Sequence, residues 1–356
     1  MSEHRFPSLD LVPKSDVAQS AKDFKTDQEV RWCPGCGDYA ILAAVQSFMP
    51  QLGLRKENIV FVSGIGCSSR FPYYMDTFGV HSIHGRAPAI ATGLASSRQD
   101  LSVWVVTGDG DALSIGGNHL IHVLRRNVNL KILLFNNRIY GLTKGQYSPT
   151  SELGKITKST PMGSLDGPFN PVSLALGAEA SFVARSIDSD RKHLTSVLQA
   201  AAEHRGTALV EIYQNCNIFN DEAFEPLKDP ATRDDFTIRL EHGQPIIWGA
   251  QSQYGVTRSV EDASLKVVNV ADVDASALLV HDAHADDPSH AFDLSRLADL
   301  SLARTPIGVF RSVQRPVYDD LMAGQLESAR ATQGDGDLAD LLAGGDTWTV
   351  GRPTAI

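Results

Sequence analysis

Short apolar runs alternate with helix-like segments over residues 26–220, and this alternation constrains the fold more than any other feature of the chain. The runs are rich in β-branched and aromatic residues, as buried strands are, and they occupy 59–63, 102–106, 130–135 and 208–213. The helical segments occupy 39–49, 88–98 and 115–126. Strands separated by helices predict crossover connections, and therefore an α/β fold with a parallel sheet flanked by helices.

The two ends of the chain lack this alternation. Residues 1–25 are polar and contain two prolines, and we expect a leader that packs on the rest or stays loose. Residues 221–356 are charged and loop-rich at first, then richer in Gly, Ala and Asp. We expect them to form a C-terminal extension of the 26–220 domain, part of it ordered and part of it wrapping a neighbouring chain.

Composition argues against several classes of function. The 356 residues include 42 acidic and 32 basic side chains, for a net charge of -10 with histidines neutral. An acidic surface disfavours nonspecific binding to nucleic acids and to anionic membranes. No apolar run approaches the roughly 20 residues that span a bilayer, and residues 1–16 lack the apolar core of a signal peptide. We therefore expect a cytoplasmic protein with neither nucleic acid nor membrane as a partner.

A glycine-rich acidic turn, Gly108-Asp109-Gly110-Asp111, follows the second apolar run. Glycines let the backbone approach a phosphate, and the start of a helix attracts an anion. An aspartate there would repel a phosphate unless a divalent cation lay between them, and Mg²⁺ prefers such oxygen ligands. At the end of the next run, Asn137 offers an amide oxygen and Ile139 a backbone carbonyl. These residues and Asp109 form a candidate Mg²⁺ site for a diphosphate.

The same tetrapeptide recurs at 334–337. No apolar strand precedes this second copy and no Asn-rich strand end follows it, so we expect only a turn in the tail. The position of this tetrapeptide relative to the predicted strands is therefore better evidence for a binding site than its sequence alone.

The four cysteines are Cys33, Cys36, Cys67 and Cys216. They are too few for a disulfide scaffold, and a reducing cytoplasm would keep them as thiols. Four thiolates complete a tetrahedral zinc site or ligate an iron–sulfur cluster, and a C-x-x-C pair also occurs in dithiol redox sites. The cysteines alone leave zinc, a cluster and a thioredoxin-like dithiol as alternatives.

Five motifs in a fixed order resemble those of the β subunits of 2-oxoacid:ferredoxin oxidoreductases. They are W-C-P-G-C-G at 32–37, G-I-G-C-S-S at 64–69, H-G-R-A at 84–87, G-D-G-D at 108–111 and N-N-R-I-Y-G-L-T-K-G-Q at 136–146. The similarity extends over about residues 30–230 and leaves the C-terminal extension uncovered. It implies a thiamine-diphosphate-binding fold of the diphosphate type that binds thiamine diphosphate, Mg²⁺ and, on all four cysteines, a [4Fe-4S] cluster.

The resemblance also implies roles for single residues. Leu142 would wedge thiamine into its bent, reactive shape, and Lys144 would bind a distal carboxylate of the substrate. The other contacts with the cofactor would come from the motif residues Ile65, Gly66, Cys67, Ser68, Ser69, His84, Gly85, Arg86, Gly108, Gly110, Asp111, Gly141, Thr143, Gly145 and Gln146.

The reaction that the resemblance implies is the oxidative decarboxylation of a 2-oxoacid with coenzyme A as co-substrate, electrons passing through the cluster to ferredoxin. Lys144 and the form of its loop favour 2-oxoglutarate, which gives succinyl-CoA and CO2; pyruvate or broad specificity is the alternative. Only one α/β core is visible, so an α subunit is expected to supply a pyrimidine-binding domain and the coenzyme A site, in an αβ or α2β2 assembly. Two other classes stay open: a non-oxidative thiamine-dependent decarboxylase subunit without a cluster, and an iron–sulfur electron carrier without thiamine.

Overall fold

The computed structural model describes residues 7–299, 301–345 and 347–351. Its strands are β1 (Ile59–Ser63), β2 (Phe78–His81), β3 (Ser102–Gly108), β4 (Lys131–Asn136), β5 (Phe182–Ile187), β6 (Ala208–Tyr213), β7 (Thr237–Leu240), β8 (Ile247–Trp248), β9 (Tyr254–Arg258), β10 (Leu265–Asn269) and β11 (Thr305–Ser312). Its α-helices are α1 (Asp38–Phe48), α2 (Ala87–Ser97), α3 (Asp109–Leu113), α4 (Gly117–Arg126), α5 (Pro171–Gly177), α6 (Arg191–Glu203), α7 (Arg233–Phe236), α8 (Ser289–Ser295), α9 (Tyr318–Gln333) and α10 (Leu338–Ala343). Short 3₁₀ helices lie at Pro7–Leu9, Ala21–Phe24, Met49–Leu52, Lys56–Asn58, Ser68–Tyr74, Glu225–Leu227, Val270–Asp272 and Ala275–Ala277.

The main sheet has eight strands in the order β2-β1-β3-β4-β6-β5-β11-β7. The first six in this order are parallel to one another, whereas β11 is antiparallel to β5 and parallel to β7. The prediction of an α/β fold with a parallel sheet flanked by helices is confirmed. The predicted strands 59–63 and 208–213 match β1 and β6, and the other two match β3 and β4 with slightly different ends.

Each face of the sheet carries its own hydrophobic core, because alternate residues of a strand point to opposite faces. On one face Phe61 and Trp104 pack in a cluster with α1 and α6. On the other face Val62 and Val105 pack in a cluster with α2, α4 and α5. Since both faces are covered, the central strands are continuous apolar runs, and such runs are recognisable in the sequence.

The N-terminal segment packs against the first of these cores over its described part. Leu9, Val12 and Phe24 are buried in the cluster that also contains α1, and the Ser8 hydroxyl donates to the Ala202 carbonyl at 2.5 Å. Residues 1–6 of the expected leader lie outside the described residues. Among residues 7–25, Ser8, Leu9, Val12 and Phe24 are buried and most of the others are exposed, and the extent of the leader stays a prediction.

The C-terminal extension enters the main sheet, which sequence reasoning missed. Its strand β11 lies between β5 and β7, while β8, β9 and β10 form a separate antiparallel sheet. The helices α9 and α10 follow, and of their residues Asp319 is buried. The 334–337 turn connects these two helices, with the Asp337 side chain capping α10. The second tetrapeptide is thus a turn in the tail, as expected.

Residues 300, 346 and 352–356 of the extension lie outside the described residues, and the boundary at residue 220 stays a prediction. Across the described ranges, no helix combines the length and the apolar composition that crossing a membrane requires.

Candidate active site

A cavity of about 510 Å³ lies where β1, β3 and β4 end. The carboxyl ends of parallel strands meet at one edge of a sheet, so the loops that follow them converge there. The cavity is lined by Ile65, Gly66, Cys67, Ser68, His84, Gly108, Asp109, Gly110, Asp111, Phe135, Asn137, Ile139, Tyr140, Gly141, Leu142, Thr143 and Gln146. Its volume is in the range of small-molecule binding sites.

Asp109 is a buried carboxylate at the start of α3. Its Oδ2 accepts hydrogen bonds from the Ser148 hydroxyl at 2.5 Å and the Thr150 hydroxyl at 2.6 Å. Burial raises the pKa of Asp109 to about 6, although the two hydroxyls favour its charged form. Its two side-chain donors are neutral hydroxyls, which bring no positive charge. A bound cation would therefore offset a charge that is otherwise uncompensated.

Asn137 and Ile139 line the same cavity from the loop after β4. The Asn137 side-chain amide donates to Gln214 Oε1 at 2.9 Å, and its Oδ1 accepts the Ile139 N–H at 3.1 Å. The Ile139 carbonyl accepts no hydrogen bond within the described ranges. A carboxylate, an amide oxygen and a free carbonyl are the hard oxygen ligands that Mg²⁺ prefers. The residues present therefore fit the predicted Mg²⁺ site.

Asp111 joins two walls of the cavity through its carboxylate. Its Oδ1 lies 2.6 Å from His84 Nδ1 and accepts the N–H groups of Ile65 at 3.0 Å and Gly85 at 2.7 Å. Its Oδ2 accepts the Thr107 hydroxyl at 2.7 Å. Because both oxygens already have partners, Asp111 fixes the loops that surround a ligand, and His84 is held with its ring at the cavity wall.

Gly110 allows the loop after β4 to approach α3. A Cβ at this position would overlap the Tyr140 ring, and the Tyr140 hydroxyl donates to the Gly110 carbonyl at 2.9 Å. This contact holds the loop that carries Asn137 against the helix that begins with Asp109. The glycine of the motif is thus explained by packing between protein elements as well as by access to a ligand.

The structure brings the four cysteines together beside the cavity. The Sγ atoms of Cys67 and Cys216 lie 3.4 and 3.7 Å from the point where a Cβ on Gly141 would sit. Cys33 is exposed and lies near enough to Cys67 to raise the pKa of that thiol. Cys67 belongs both to this group and to the cavity lining, so the two candidate sites share a residue.

The electrostatic surroundings of the half-buried thiols Cys36 and Cys67 favour a cationic group between them. Burial, followed by the nearby Asp38 carboxylate, raises the pKa of Cys67 to about 12 and also raises that of Cys36. Such thiols stay protonated unless a metal ion compensates the charge of the thiolate. Gln214 Nε2 donates to Cys36 Sγ at 3.3 Å, the kind of hydrogen bond that tunes an iron–sulfur cluster. The donor set therefore fits a cluster.

The thiols do not by themselves identify the group that they would hold. In the part of the chain that the structure describes, no set of three or more His, Cys, Asp or Glu side chains is already arranged around a single metal ion. Because zinc and an iron–sulfur cluster both take four thiolates, both alternatives stay open at this point.

Besides three of the cysteines, five predicted site residues lie outside the cavity lining. Ser69 is buried, and its hydroxyl has no hydrogen-bond partner among the described residues. The Arg86 guanidinium donates to the His84 carbonyl at 3.3 Å, and Gly85 donates its N–H to the Asp111 carboxylate. Lys144 is exposed, with a φ of 75°, and Gly145 follows it with a φ of 99°. The role of Lys144 at a substrate carboxylate stays a prediction, as do the cofactor contacts of the other four.

Sequence reasoning missed Phe135, which lines the cavity, and the hydroxyls of Ser148 and Thr150, which hold Asp109. Phe135 is part of a predicted strand and was therefore assigned to the core. The available signal for the hydroxyls is the run S-P-T-S at 148–151, directly after the last motif. The sequence of that run does not indicate that its hydroxyls donate to Asp109.

Comparisons with known proteins match the region that contains this cavity. A family model described as thiamine pyrophosphate enzyme, C-terminal TPP binding domain, matches residues 64–212. The chain is 64% identical over 341 residues to the 2-oxoglutarate oxidoreductase subunit KorB of Mycobacterium tuberculosis. This alignment covers 95% of this chain and 91% of the relative. It is 43% identical over 205 residues to the 2-oxoacid:ferredoxin oxidoreductase 1, subunit beta, of Aeropyrum pernix, which covers 58% of this chain and 64% of the relative.

A solved structure is similar over nearly the whole chain. It is the 2-oxoglutarate:ferredoxin oxidoreductase from Magnetococcus marinus with 2-oxoglutarate, coenzyme A and succinyl-CoA bound. The TM-score is 0.72 at 32% sequence identity, and the match covers 93% of this chain and 98% of the other. The likeness therefore includes the C-terminal extension as well as the domain that holds the cavity.

Proposed function

We propose a function from the premise that this chain belongs to the β subunits of the 2-oxoacid:ferredoxin oxidoreductases. As part of a multi-subunit enzyme, it carries out the coenzyme A-dependent oxidative decarboxylation of 2-oxoglutarate to succinyl-CoA and CO2. Electrons leave through a [4Fe-4S] cluster to ferredoxin. The observation that carries this proposal is the double position of Cys67, which lines the cavity and also lies beside Cys216.

The cavity would hold thiamine diphosphate, with Asp109, Asn137 and the Ile139 carbonyl as the protein ligands of its Mg²⁺. Bound thiamine supplies a carbon nucleophile for the 2-oxo carbon and accepts the electron pair that the loss of CO2 leaves behind. The protein's part is to position it. The Ser148 and Thr150 hydroxyls donate hydrogen bonds to the Asp109 carboxylate and so orient it. Metal ligands are commonly held in place by such hydrogen bonds.

The four cysteines would hold the cluster at one side of the same cavity. Because Cys67 lines that cavity, the cluster would lie next to the thiamine, and each single-electron transfer would cross a short distance. Cys33 is exposed, so this end of the cluster would face the surface where a soluble acceptor such as ferredoxin arrives. Half-buried thiols toward the cofactor and an exposed thiol toward solvent would give the electrons a direction.

The mouth of the cavity supports a partner subunit. Large apolar side chains around it are exposed, with 44% of Ile65, 75% of Ile83, 54% of Ile115 and 45% of Leu142 accessible. Contiguous exposed apolar residues mark interaction surfaces. An α subunit that covers this mouth would bury them and would complete the pyrimidine side of the thiamine site, in an αβ or α2β2 assembly.

The first test is the content of iron, acid-labile sulfide and thiamine in the protein purified anaerobically with its partner subunit. We expect four irons, four sulfides and one thiamine diphosphate per copy of this chain. Cys216→Ser should lose the iron and keep the thiamine, because Cys216 does not line the cavity. Thiamine without iron in the unaltered protein would contradict the oxidative reaction and favour a simple decarboxylase subunit.

The choice of 2-oxoglutarate is supported by the names of the similar proteins. Rates of ferredoxin reduction by the complete complex should be higher with 2-oxoglutarate than with pyruvate, and a strong preference for pyruvate would contradict the choice. If Lys144 binds the distal carboxylate, Lys144→Met raises KM for 2-oxoglutarate and leaves KM for pyruvate unchanged. Equal changes in both would remove Lys144 from the substrate site.

A further inference from the structure

A second cavity, of about 390 Å³, lies between the loop after β4 and the C-terminal extension. Successive residues at the end of β4 and the start of this loop line different cavities: Phe135 and Asn137 line the first, whereas Asn136 and Arg138 line the second. The far wall comes from the end of α8 and the chain that follows it, namely Ser295, Arg296, Ala298, Asp299 and Leu302. The volume suits a small molecule, and none of the proposed roles uses this space.

Three guanidinium groups line the second cavity. Arg185 is buried and forms an ion pair with Glu211 at 2.7 Å. Arg138 is half-buried, with its guanidinium 4.9 Å from the centre of the Phe224 ring, and Arg296 is exposed at the mouth. Within the described ranges neither Arg138 nor Arg296 has a carboxylate within ion-pair distance. The Arg138 guanidinium also interacts with the Tyr213 side chain and with the Glu152 carboxylate. Arg296 and the remaining N–H groups of Arg138 are therefore the cationic donors available to an anion.

The other carboxylates of the cavity are already paired with cations that lie outside its lining. Glu152 pairs with Lys155 at 2.8 Å, and Asp299 pairs with Arg304 at 3.0 Å. The lining holds three arginines and three carboxylates, and Lys155 and Arg304 add two cations from outside it. The charge in and around the cavity is thus positive, in a chain whose net charge is -10. A positive site in an acidic protein is a specific feature of that site, since the overall field repels anions.

Arg138 connects the second cavity to the first through the backbone. It lies between Asn137 and Ile139, the two proposed Mg²⁺ ligands of this loop, and its φ of 56° is one that residues with side chains rarely adopt. Two hydrogen bonds hold it there: its N–H donates to Asn136 Oδ1 at 3.2 Å, and Ser151 Oγ donates to its carbonyl at 2.6 Å. An anion on the guanidinium would add a third restraint to the segment that presents the metal ligands.

We propose that the second cavity binds a small molecule through an oxyanion, a phosphate or a carboxylate, held by Arg138 and Arg296, and that this binding tightens Mg²⁺ and thiamine diphosphate in the first cavity. Guanidinium groups match such oxyanions with paired hydrogen bonds. The coupling is reciprocal, so bound thiamine diphosphate tightens the anion by the same factor. Binding of the anion stands by itself, whereas the coupling rests on the proposed function.

The test is isothermal titration calorimetry on the complete complex, saturated with thiamine diphosphate and Mg²⁺ so that the first cavity is filled. Inorganic phosphate and malonate are the probes, and chloride at equal ionic strength is the blank. We expect saturable binding, tighter for phosphate if the natural group is a phosphate and tighter for malonate if it is a carboxylate. Arg296→Gln should weaken binding about tenfold, because one charge-assisted hydrogen bond is lost.

Arg191→Gln is the matched control, since this arginine of α6 lies outside the cavity and donates to the Ser47 hydroxyl. It should bind the probes as the unaltered protein does. Heats equal to those of chloride, or equal affinities in Arg296→Gln and Arg191→Gln, would overturn the site.

The coupling is measured separately, as the apparent Kd of thiamine diphosphate at limiting Mg²⁺ with and without the better probe. We expect a lower Kd with the probe in the unaltered protein and in Arg191→Gln, and no change in Arg296→Gln. An unchanged Kd despite saturable probe binding would overturn the coupling alone. A protein that never binds thiamine diphosphate would refute the proposed function, while the difference in probe binding between Arg296→Gln and Arg191→Gln would still decide the second cavity.

Discussion

Asp109 and Asp335 occupy the same position in two copies of one tetrapeptide, which makes them a matched pair for mutation. Asp109→Asn removes the buried charge that the Mg²⁺ site requires, and we expect the affinity for thiamine diphosphate in the presence of Mg²⁺ to fall about 100-fold. Asp335→Asn, in the turn between α9 and α10, should leave this affinity unchanged. Calorimetric titration measures both, and a normal affinity in Asp109→Asn would contradict its assignment as a metal ligand.

The pKa of Asp109, about 6, predicts how Mg²⁺ binding depends on pH. Mg²⁺ binds the carboxylate and competes with the proton, so its affinity should be full above pH 6 and fall about tenfold for each pH unit below it. Thr150→Val removes a hydroxyl that favours the charged form, so the fall should begin at a higher pH, and Thr150→Ser should restore the original profile. Identical profiles for Thr150→Val and the unaltered protein would show that the hydroxyl has no such effect.

The residues of the site that the sequence reveals are those whose chemistry shows in their immediate neighbours. Asp109 is flanked by glycines and follows an apolar strand, and Cys33 has Cys36 three residues away. Ser148 has no such signal, because its contact with Asp109 joins residues 39 positions apart and loop hydroxyls are common. Neighbouring residues in the sequence can therefore predict the metal ligands. The side chains that orient those ligands cannot be predicted in this way, because the path of a distant loop brings them into contact.

At the scale of elements, the ion pair between Arg185 on β5 and Glu211 on β6 is buried on both sides. Arg185→Met leaves the Glu211 charge unpaired and should lower the free energy of unfolding by about 3–5 kcal/mol. The double variant Arg185→Met with Glu211→Gln removes both charges, keeps an acceptor for the Asn136 amide and should recover most of the loss. Denaturant titration of the three proteins measures the difference, and equal stability of the single and double variants would contradict this reason.

The same pair explains which strands the sequence predicts. β1, β3, β4 and β6 consist mostly of apolar residues, whereas β5 reads Phe-Val-Ala-Arg-Ser-Ile and contains a charge that only a partner on another strand makes tolerable in the core. β11 contains Pro306 and Arg311, and its place depends on pairing with β5, which lies far earlier in the chain. Local sequence patterns therefore predict strands made of apolar residues. They miss strands whose buried polar residues need partners that lie far away in the sequence.

At the scale of the whole molecule, the C-terminal part divides into a segment that completes the sheet and one that does not. α10 buries no residue, so a chain that ends at residue 333 should keep its fold, with a change in unfolding free energy below about 0.5 kcal/mol. A chain that ends at residue 304 lacks β11, whose residues are mostly buried between β5 and β7, and should not fold. Circular dichroism melting of both truncations, coexpressed with the partner, tests this, and a folded shorter chain would contradict it.

The pairing of β11 with β5 also imposes a delay during synthesis of the chain. β5 leaves the ribosome long before residues 305–312, which pair with it, so its edge waits unpaired while the intervening chain is made. At about 5–20 residues per second this wait lasts on the order of ten seconds, and an unpaired edge strand invites association with other nascent chains. We therefore expect the yield of this protein in a host cell to depend on the speed of translation after residue 187 and on chaperones that cover that edge.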